Sequence, residues 1–272
     1  MDTLRDILDF LVGWALDADL IIRAIPGLMD GLVVTLTMIG SSLLIGLVLA
    51  LALAAMRLSG KRWLNGPAYA YMFFFRGTPL LVQIFLIYNV PGLFEDIRKS
   101  DIWPYIRDPI YWAILALALN TAAYTAEIIR GAILAVPAQE VEAARAMGMS
   151  RFTVMRRIMV PHALRISIPA YANEVILLLK GSALVSAISV MDIAGQAHRL
   201  YSRTYAPFEP LIAAGLVYLT LTFAITRMAK FAEFMTTPGG KRWWQRVKAR
   251  VMGRSLDHTP GSGPSRPSEQ TS

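Results

Sequence analysis

From Gly31 to Met56 the chain runs 26 residues without a charged side chain, GLVVTLTMIGSSLLIGLVLALALAAM. A helix needs about 20 apolar residues to cross a hydrocarbon core, so this run is expected to span a membrane. Ser42, Gly46, Ala50 and Ala54 recur every four residues within it. Small side chains at that spacing form one stripe along a helix, where a second helix could approach closely.

The rest of the chain fits the same solvent. It is 272 residues long, 55% apolar and only 17% charged, with a mean hydropathy of +0.47. A soluble domain carries about 25% charged residues and could not hide this much apolar surface. There is no cysteine, which excludes disulfides, iron–sulfur clusters and thiol catalysis. His162, His198 and His258 lie far apart in sequence, which argues against a histidine metal site or triad. An intramembrane enzyme would want such a cluster, or paired carboxylates, at membrane depth.

Further spans are expected at about residues 67–94, 110–134, 168–191 and 209–230, giving an all-α polytopic membrane protein of about five helices. The second is interrupted at Arg76-Gly77-Thr78-Pro79. Pro79 lacks a backbone donor, so a break is expected there, with the crossing after it. The fourth contains Asn173, Glu174 and Lys180 and should be lined by protein rather than lipid.

Basic residues set the orientation. Arg57, Lys61, Arg62 and Arg76, the six arginines from Arg130 to Arg165, and the basic residues from Arg227 onward all fall on one side. The other side holds few. The richer side is cytoplasmic, which puts the N-terminus outside and the C-terminus inside. The net charge of +8 is thus a topology signal, and nucleic acid is not an expected partner. Residues 1–30, with six aspartates against Arg5 and Arg23, suit a periplasmic segment and lack the basic start of a signal peptide. Residues 31–233 form the membrane domain. In residues 234–272, a basic stretch with paired tryptophans, Lys241 to Arg250, should lie against membrane lipid, and a Pro/Gly/Ser-rich tail should be disordered.

The cytoplasmic loop of about residues 135–165 is built from strong local signals. Pro137 suits a helix start, and Ala138 to Met147 are rich in helix formers. Gly148 supplies a left-handed stop, Ser150 can cap a second short helix, and Val160-Pro161 is expected to end it. Such a loop could simply return the chain to the membrane, or it could offer a rigid lever to a soluble partner.

Glu142-Ala143-Ala144-Arg145-Ala146-Met147-Gly148, followed by Ile158-Met159-Val160-Pro161, resembles the EAA motif of membrane subunits of ATP-binding-cassette importers. The resemblance implies a type I importer permease fold. It makes Glu142, Ala143, Ala144, Arg145, Gly148 and Pro161 the loop that docks on a cytoplasmic ATPase. Gly31-Leu-Val-Val-Thr35, Phe75 to Gln83 and Leu119 to Ile128 look like the polar-amino-acid permease subfamily. Ala163 to Leu177 and Tyr205-Ala-Pro-Phe208 are similar to HisM-type subunits of histidine/lysine/arginine/ornithine importers and their octopine and nopaline relatives.

The chain contains no G-x-x-x-x-G-K-[ST] phosphate loop, so it is expected to bind no cofactor, with ATP and magnesium held by a partner. By the resemblance, the partners are two ATPase subunits, a second permease subunit (HisQ-type or another copy), a periplasmic binding protein and an amino-acid substrate in a bacterial inner membrane. An ion-gradient-driven secondary transporter is the alternative, and would show paired broken helices. Candidate path residues are Glu127, Glu174, Asn173 and Asn120. Arg130 lies one turn from Glu127 and could pair with it. Glu174 could instead hold a hydrogen bond to another span, and Asn120 and Thr121 are natural interhelical hydrogen-bonders.

Overall fold

The computed structural model describes residues 18–236, and every described element is helical. The expected juxtamembrane segment at 241–250, the tail and residues 1–17 lie outside the described residues. Helix α1, Ala18–Leu58, has 41 residues. At 1.5 Å per residue it is about 60 Å long, twice a hydrocarbon core, so it begins well ahead of the uncharged run and must tilt or project beyond the bilayer. Helices α2 (Arg62–Gly77) and α3 (Leu80–Leu93) follow. Short turns α4 (Glu95–Arg98) and α5 (Trp103–Ile106) lead into α6, Pro109–Leu134. Asp108 caps α6 by accepting from Ile110 N–H at 2.9 Å.

The small-residue stripe of α1 meets α6 along most of its length. Ser42, Gly46, Ala50 and Ala54 are all buried, and Ser42 Oγ donates to Ile114 O at 3.1 Å. Facing them on α6 are Ala118, Ala122, Ala123 and Ala126, also buried. Two helices with small facing residues bring their backbones close, which is how helices associate when lipid supplies no hydrophobic drive. The outward residues Val33, Leu44, Val48 and Leu51 of α1 are exposed, as lipid contact requires.

The chain breaks where Pro79 was expected to break it. Thr78 is extended (φ −113, ψ 147), as a residue before proline prefers, and α2 and α3 meet at a bend of 107°. With 16 and 14 residues, each is only about 21–24 Å long, so the pair is either one broken span or a re-entrant loop.

Helices α7 (Ala138–Ala146) and α8 (Arg151–Val154) form the loop after α6. Here the structure corrects one expectation: Val160-Pro161 does not end the helix begun at Arg151. A wider π turn, Met155–Met159, carries the chain into α9, Val160–Gly181. Pro161 sits in the first turn of α9, where its missing N–H and its ring are tolerated because the π turn has already changed the hydrogen-bond register. The fourth span is therefore continuous with the loop, from Arg151 through the tight turn Ser182–Ile188.

Helix α10, Ile193–Thr204, then packs on α1 and on the last helix, α11 (Phe208–Thr236). Ala24, Leu28, Ile193, Ala197, Ala213 and Ala214 form the core of that contact. Gly31 and Thr35 explain their place in the sequence here. A Cβ on Gly31 would lie 2.7 Å from Asp192 O, and Thr35 Oγ1 accepts from Ile193 N–H at 3.2 Å. Asp192 itself is fully buried, caps α10 through Gly195 N–H at 2.8 Å, and accepts from Tyr218 Oη at 3.2 Å.

Candidate functional site

The loop carrying the EAA-like residues is a bent pair of short helices projecting from the ends of α6 and α9. Pro137 precedes its first residue, and the turn after Ala146 is closed by two bonds. Gly148 N–H donates to Arg145 O at 2.9 Å and Met149 N–H donates to Ala144 O at 3.1 Å. That is a Schellman ending, and it requires the left-handed φ of +78 that Gly148 adopts. Ser150 Oγ accepts from Thr153 N–H at 3.2 Å, capping α8 as its position in the sequence suggested.

Burial divides the motif into two faces. Ala144 is buried where the first short helix packs on the second and on the π turn, and Val154 is buried on the second. Glu142, Ala143, Arg145 and Gly148 are exposed. On either side of the elbow stand Met147, 76% exposed, and Phe152, 74% exposed. Two large apolar side chains held out beside a rigid turn are what a docking knob presents to a cleft. Phe152 carries no motif of its own in the sequence; its one signal there is its position two residues after Ser150, within a charged loop.

The four candidate path residues do not converge. Glu174 on α9 is only 6% exposed, and its Oε1 accepts from Thr121 Oγ1 on α6 at 2.9 Å. This is the interhelical hydrogen bond that the sequence left open for it. Asn173, its neighbour, lies on the other face of α9 and is exposed. Glu127 pairs with Arg130 on its own helix, the Arg130 Nε–H reaching Glu127 Oε2 at 3.1 Å.

Asn120 serves the break between α2 and α3. Its Nδ2 donates to Gln83 Oε1 at 2.8 Å and to Phe75 O at 3.3 Å. Gln83 Nε2 in turn donates to Phe75 O at 2.8 Å and to Thr78 O at 3.1 Å. Breaking the helix at Pro79 frees these carbonyls next to the buried Gln83 and Asn120, and the two amides satisfy them. Gln83→Leu is therefore expected to lower stability by about 1–3 kcal/mol, read as a lower thermal midpoint of the detergent-solubilised protein. Gln83→Leu combined with Asn120→Leu should cost less than the sum of the two single changes, because they act on one network. Full additivity would show that the amides do not act together.

One face of α9 is unusual for a span. Asn173, Leu177 and Lys180 are all exposed and lie along one side, at steps of four and three residues. Lipid does not solvate an amide and an ammonium group at such positions. This side must meet either protein or water.

Residues 42–234 match the family model described as binding-protein-dependent transport system inner membrane component. The octopine transport system permease protein OccM of Rhizobium radiobacter is 48% identical over 211 residues, covering 78% of this chain and 86% of that protein. The histidine/lysine/arginine/ornithine transport system permease protein HisM of Salmonella typhimurium is 38% identical over 221 residues, 81% of this chain and 91% of that protein. Among solved structures, an amino acid ABC transporter crystallised with histidines superposes with a TM-score of 0.71 at 35% identity. The match covers 80% of this chain and 98% of that one.

Proposed function

The chain belongs to the binding-protein-dependent transport system inner membrane components, and from that membership we propose that it moves polar, basic amino acids or opines across the bacterial inner membrane on energy from a separate ATPase. It is a permease component of an amino-acid or opine ABC importer, with the type I fold of that class. Such a permease works with an ATPase, a second permease and a substrate-binding protein.

Within that frame, the loop is the point where force enters. Two ATPase subunits, one under each permease, close on ATP, and the knob of Met147 and Phe152 around Gly148 carries that closure into α6 and α9. The continuity of α9 with α8 supports this reading, since a push on the knob meets no flexible joint before the span. The observation that carries the pairing of permeases is the α9 face of Asn173 and Lys180, which is unfit for lipid. A second permease, either a paralogue or another copy, covers that face and encloses the path with it. Asn173 then lines the path. Glu174 stands behind it and is the carboxylate nearest to a passing cation, whereas Glu127 is already engaged by Arg130. The N-terminus lies in the periplasm and the knob in the cytoplasm.

The test is transport in liposomes holding this chain, its sister permease, the ATPase and the binding protein. Uptake of labelled arginine or octopine should require internal ATP and all four proteins. Uptake by this chain alone, under a proton or sodium gradient without ATP, would establish the secondary-transporter reading instead. Among the described residues there is a single broken helix pair, where that class uses two.

A further inference from the structure

A cavity of about 420 Å³ opens between the end of α1, the second half of α2 and the last turns of α6. Arg57, Arg76 and Arg130 line it, together with Glu127 and the rings of Tyr69 and Phe73. Three guanidinium groups thus line the cavity with one carboxylate. Glu127 is bound to Arg130 and lies within electrostatic reach of Arg57 and Arg76, neither of which forms an ion pair of its own among the described residues, so the cavity keeps a surplus of positive charge.

Arg57 is the informative one. It donates one Nη1 hydrogen to Asn65 Oδ1, and its guanidinium lies 5.1 Å from the centre of the Tyr69 ring. Its Nε is buried and has no acceptor. A charged donor withdrawn from water and left unmatched is costly, which means the site is short of an acceptor, and the surplus positive charge of the cavity favours an anionic one. Arg76, 5.4 Å from the Tyr124 ring, is exposed and lines the same cavity.

The walls identify its source. Tyr69 and Phe73 stack with ring centres 6.1 Å apart, and both are exposed on α2. Trp63 stands exposed near the start of the same helix, with Lys61 6.0 Å from its ring. Aromatic rings above a basic rim are the signature of a membrane–water boundary. A soluble anion gains nothing from that aromatic wall, whereas acyl chains do.

We propose that this cavity holds the phosphate of an anionic phospholipid, with the acyl chains lying along the exposed Tyr69–Phe73 face. Arginine forks match a phosphate's oxygens, and the surplus positive charge favours a lipid with no ammonium of its own. Bridging Arg57 on α1 to Arg76 on α2, the headgroup ties α2 to the bundle. That the lipid comes from the cytoplasmic leaflet rests on the proposed orientation; the binding itself does not.

The full chain solubilised from native membranes in a neutral detergent is titrated with short-chain phosphatidylglycerol, with phosphatidylcholine of the same chain length, and with inorganic phosphate. Bound lipid is counted by native mass spectrometry. Phosphatidylglycerol should be retained roughly tenfold or more better than phosphatidylcholine, as two unpaired arginines predict. Inorganic phosphate should not displace it. Arg57→Gln combined with Arg76→Gln should erase the preference, while Glu127→Gln, which frees Arg130, should increase it. Opposite signs from neighbouring substitutions separate a binding site from simple misfolding. Equal retention of the two lipids, a preference that survives the double substitution, or displacement by phosphate alone would each overturn the proposal.

Discussion

Valine in place of Gly148 is expected to cut ATP-coupled uptake by at least about tenfold while leaving the chain folded in the membrane. The obstacle is dihedral rather than steric. A Cβ at Gly148 would meet nothing within 4 Å, but the backbone stands at φ +78. Forcing an L-residue into that region costs roughly 1–2 kcal/mol, and a β-branched side chain is worse placed still. The two bonds that close the turn, from Gly148 to Arg145 and from Met149 to Ala144, depend on that φ. Without them α7 unwinds at its end, and Met147 and Phe152 no longer stand on a fixed elbow. The loop lies outside the three buried clusters, so global stability should change little. Transmission has no such reserve, because a loss of about 1.4 kcal/mol in the docked state is already tenfold. The measurement is uptake and ATPase activity in reconstituted liposomes, with Gly148→Asn beside it. Asparagine enters the left-handed region more readily than other residues, so that variant should keep most of the coupling. Wild-type uptake with valine, or equal loss with asparagine and valine, would remove the elbow from the mechanism.

What could be read from the sequence follows the range of the forces involved. The bilayer imposes length, so α6 and the uncharged core of α1 announce themselves as apolar runs. Local backbone chemistry is equally legible: the break at Pro79, the left-handed Gly148 and the Ser150 cap each follow from one or two residues. Pro161 shows where local chemistry is insufficient. A proline usually ends a helix, but here a π turn in the preceding five residues absorbs its effect, and nothing in Met155–Met159 signals that turn. Long-range closure is legible only as a tendency, in the small-residue stripe of α1 and the polar residues within spans, without the identity of the partners. Gln83 matters because Asn120, on a different span, completes its network. Gly31 matters because the backbone at Asp192 comes within 2.7 Å of where its Cβ would be. The same limit governs the site. The bent pair of helices is made of neighbouring residues and could be drawn from them, whereas the proposed path, shared with a second permease, would not be encoded in this chain alone. The sequence offers Arg130 as a partner for Glu127 and interhelical hydrogen bonds for Glu174 and Asn120, but only the fold names Thr121 and Gln83 as the partners of the last two.

The second large effect is expected deep in the bundle, at Gly46. A Cβ there would lie 2.6 Å from Thr121 Cγ2 and 3.1 Å from Ala118 O, closer than packed atoms tolerate. Thr121 cannot simply turn aside, because its Oγ1 is the donor that satisfies the buried Glu174. Gly46→Val therefore forces a choice. Either α1 separates from α6 along the stripe of Ser42, Ala50 and Ala54, or Thr121 rotates and leaves a carboxyl group without its donor. Overpacking alone costs about 1–3 kcal/mol, and the lost buried hydrogen bond adds about 1–3 more. The variant should show a much lower thermal midpoint by tryptophan fluorescence in detergent, and little protein surviving extraction. Gly40 on the same helix is the matched control, since a Cβ there would meet nothing within 4 Å. Gly40→Ala should hold or raise the midpoint, because alanine is the better helix former by about 1 kcal/mol. Thr121→Ser adds the decisive comparison. It keeps the hydroxyl for Glu174 but removes the Cγ2 that blocks Gly46, so it should recover part of the stability lost in Gly46→Val. Recovery there, with no benefit from Thr121→Val, would show that α1, α6 and α9 are locked through this one threonine. If Thr121→Ser recovers nothing, the clash lies with the Ala118 carbonyl and the two contacts are independent.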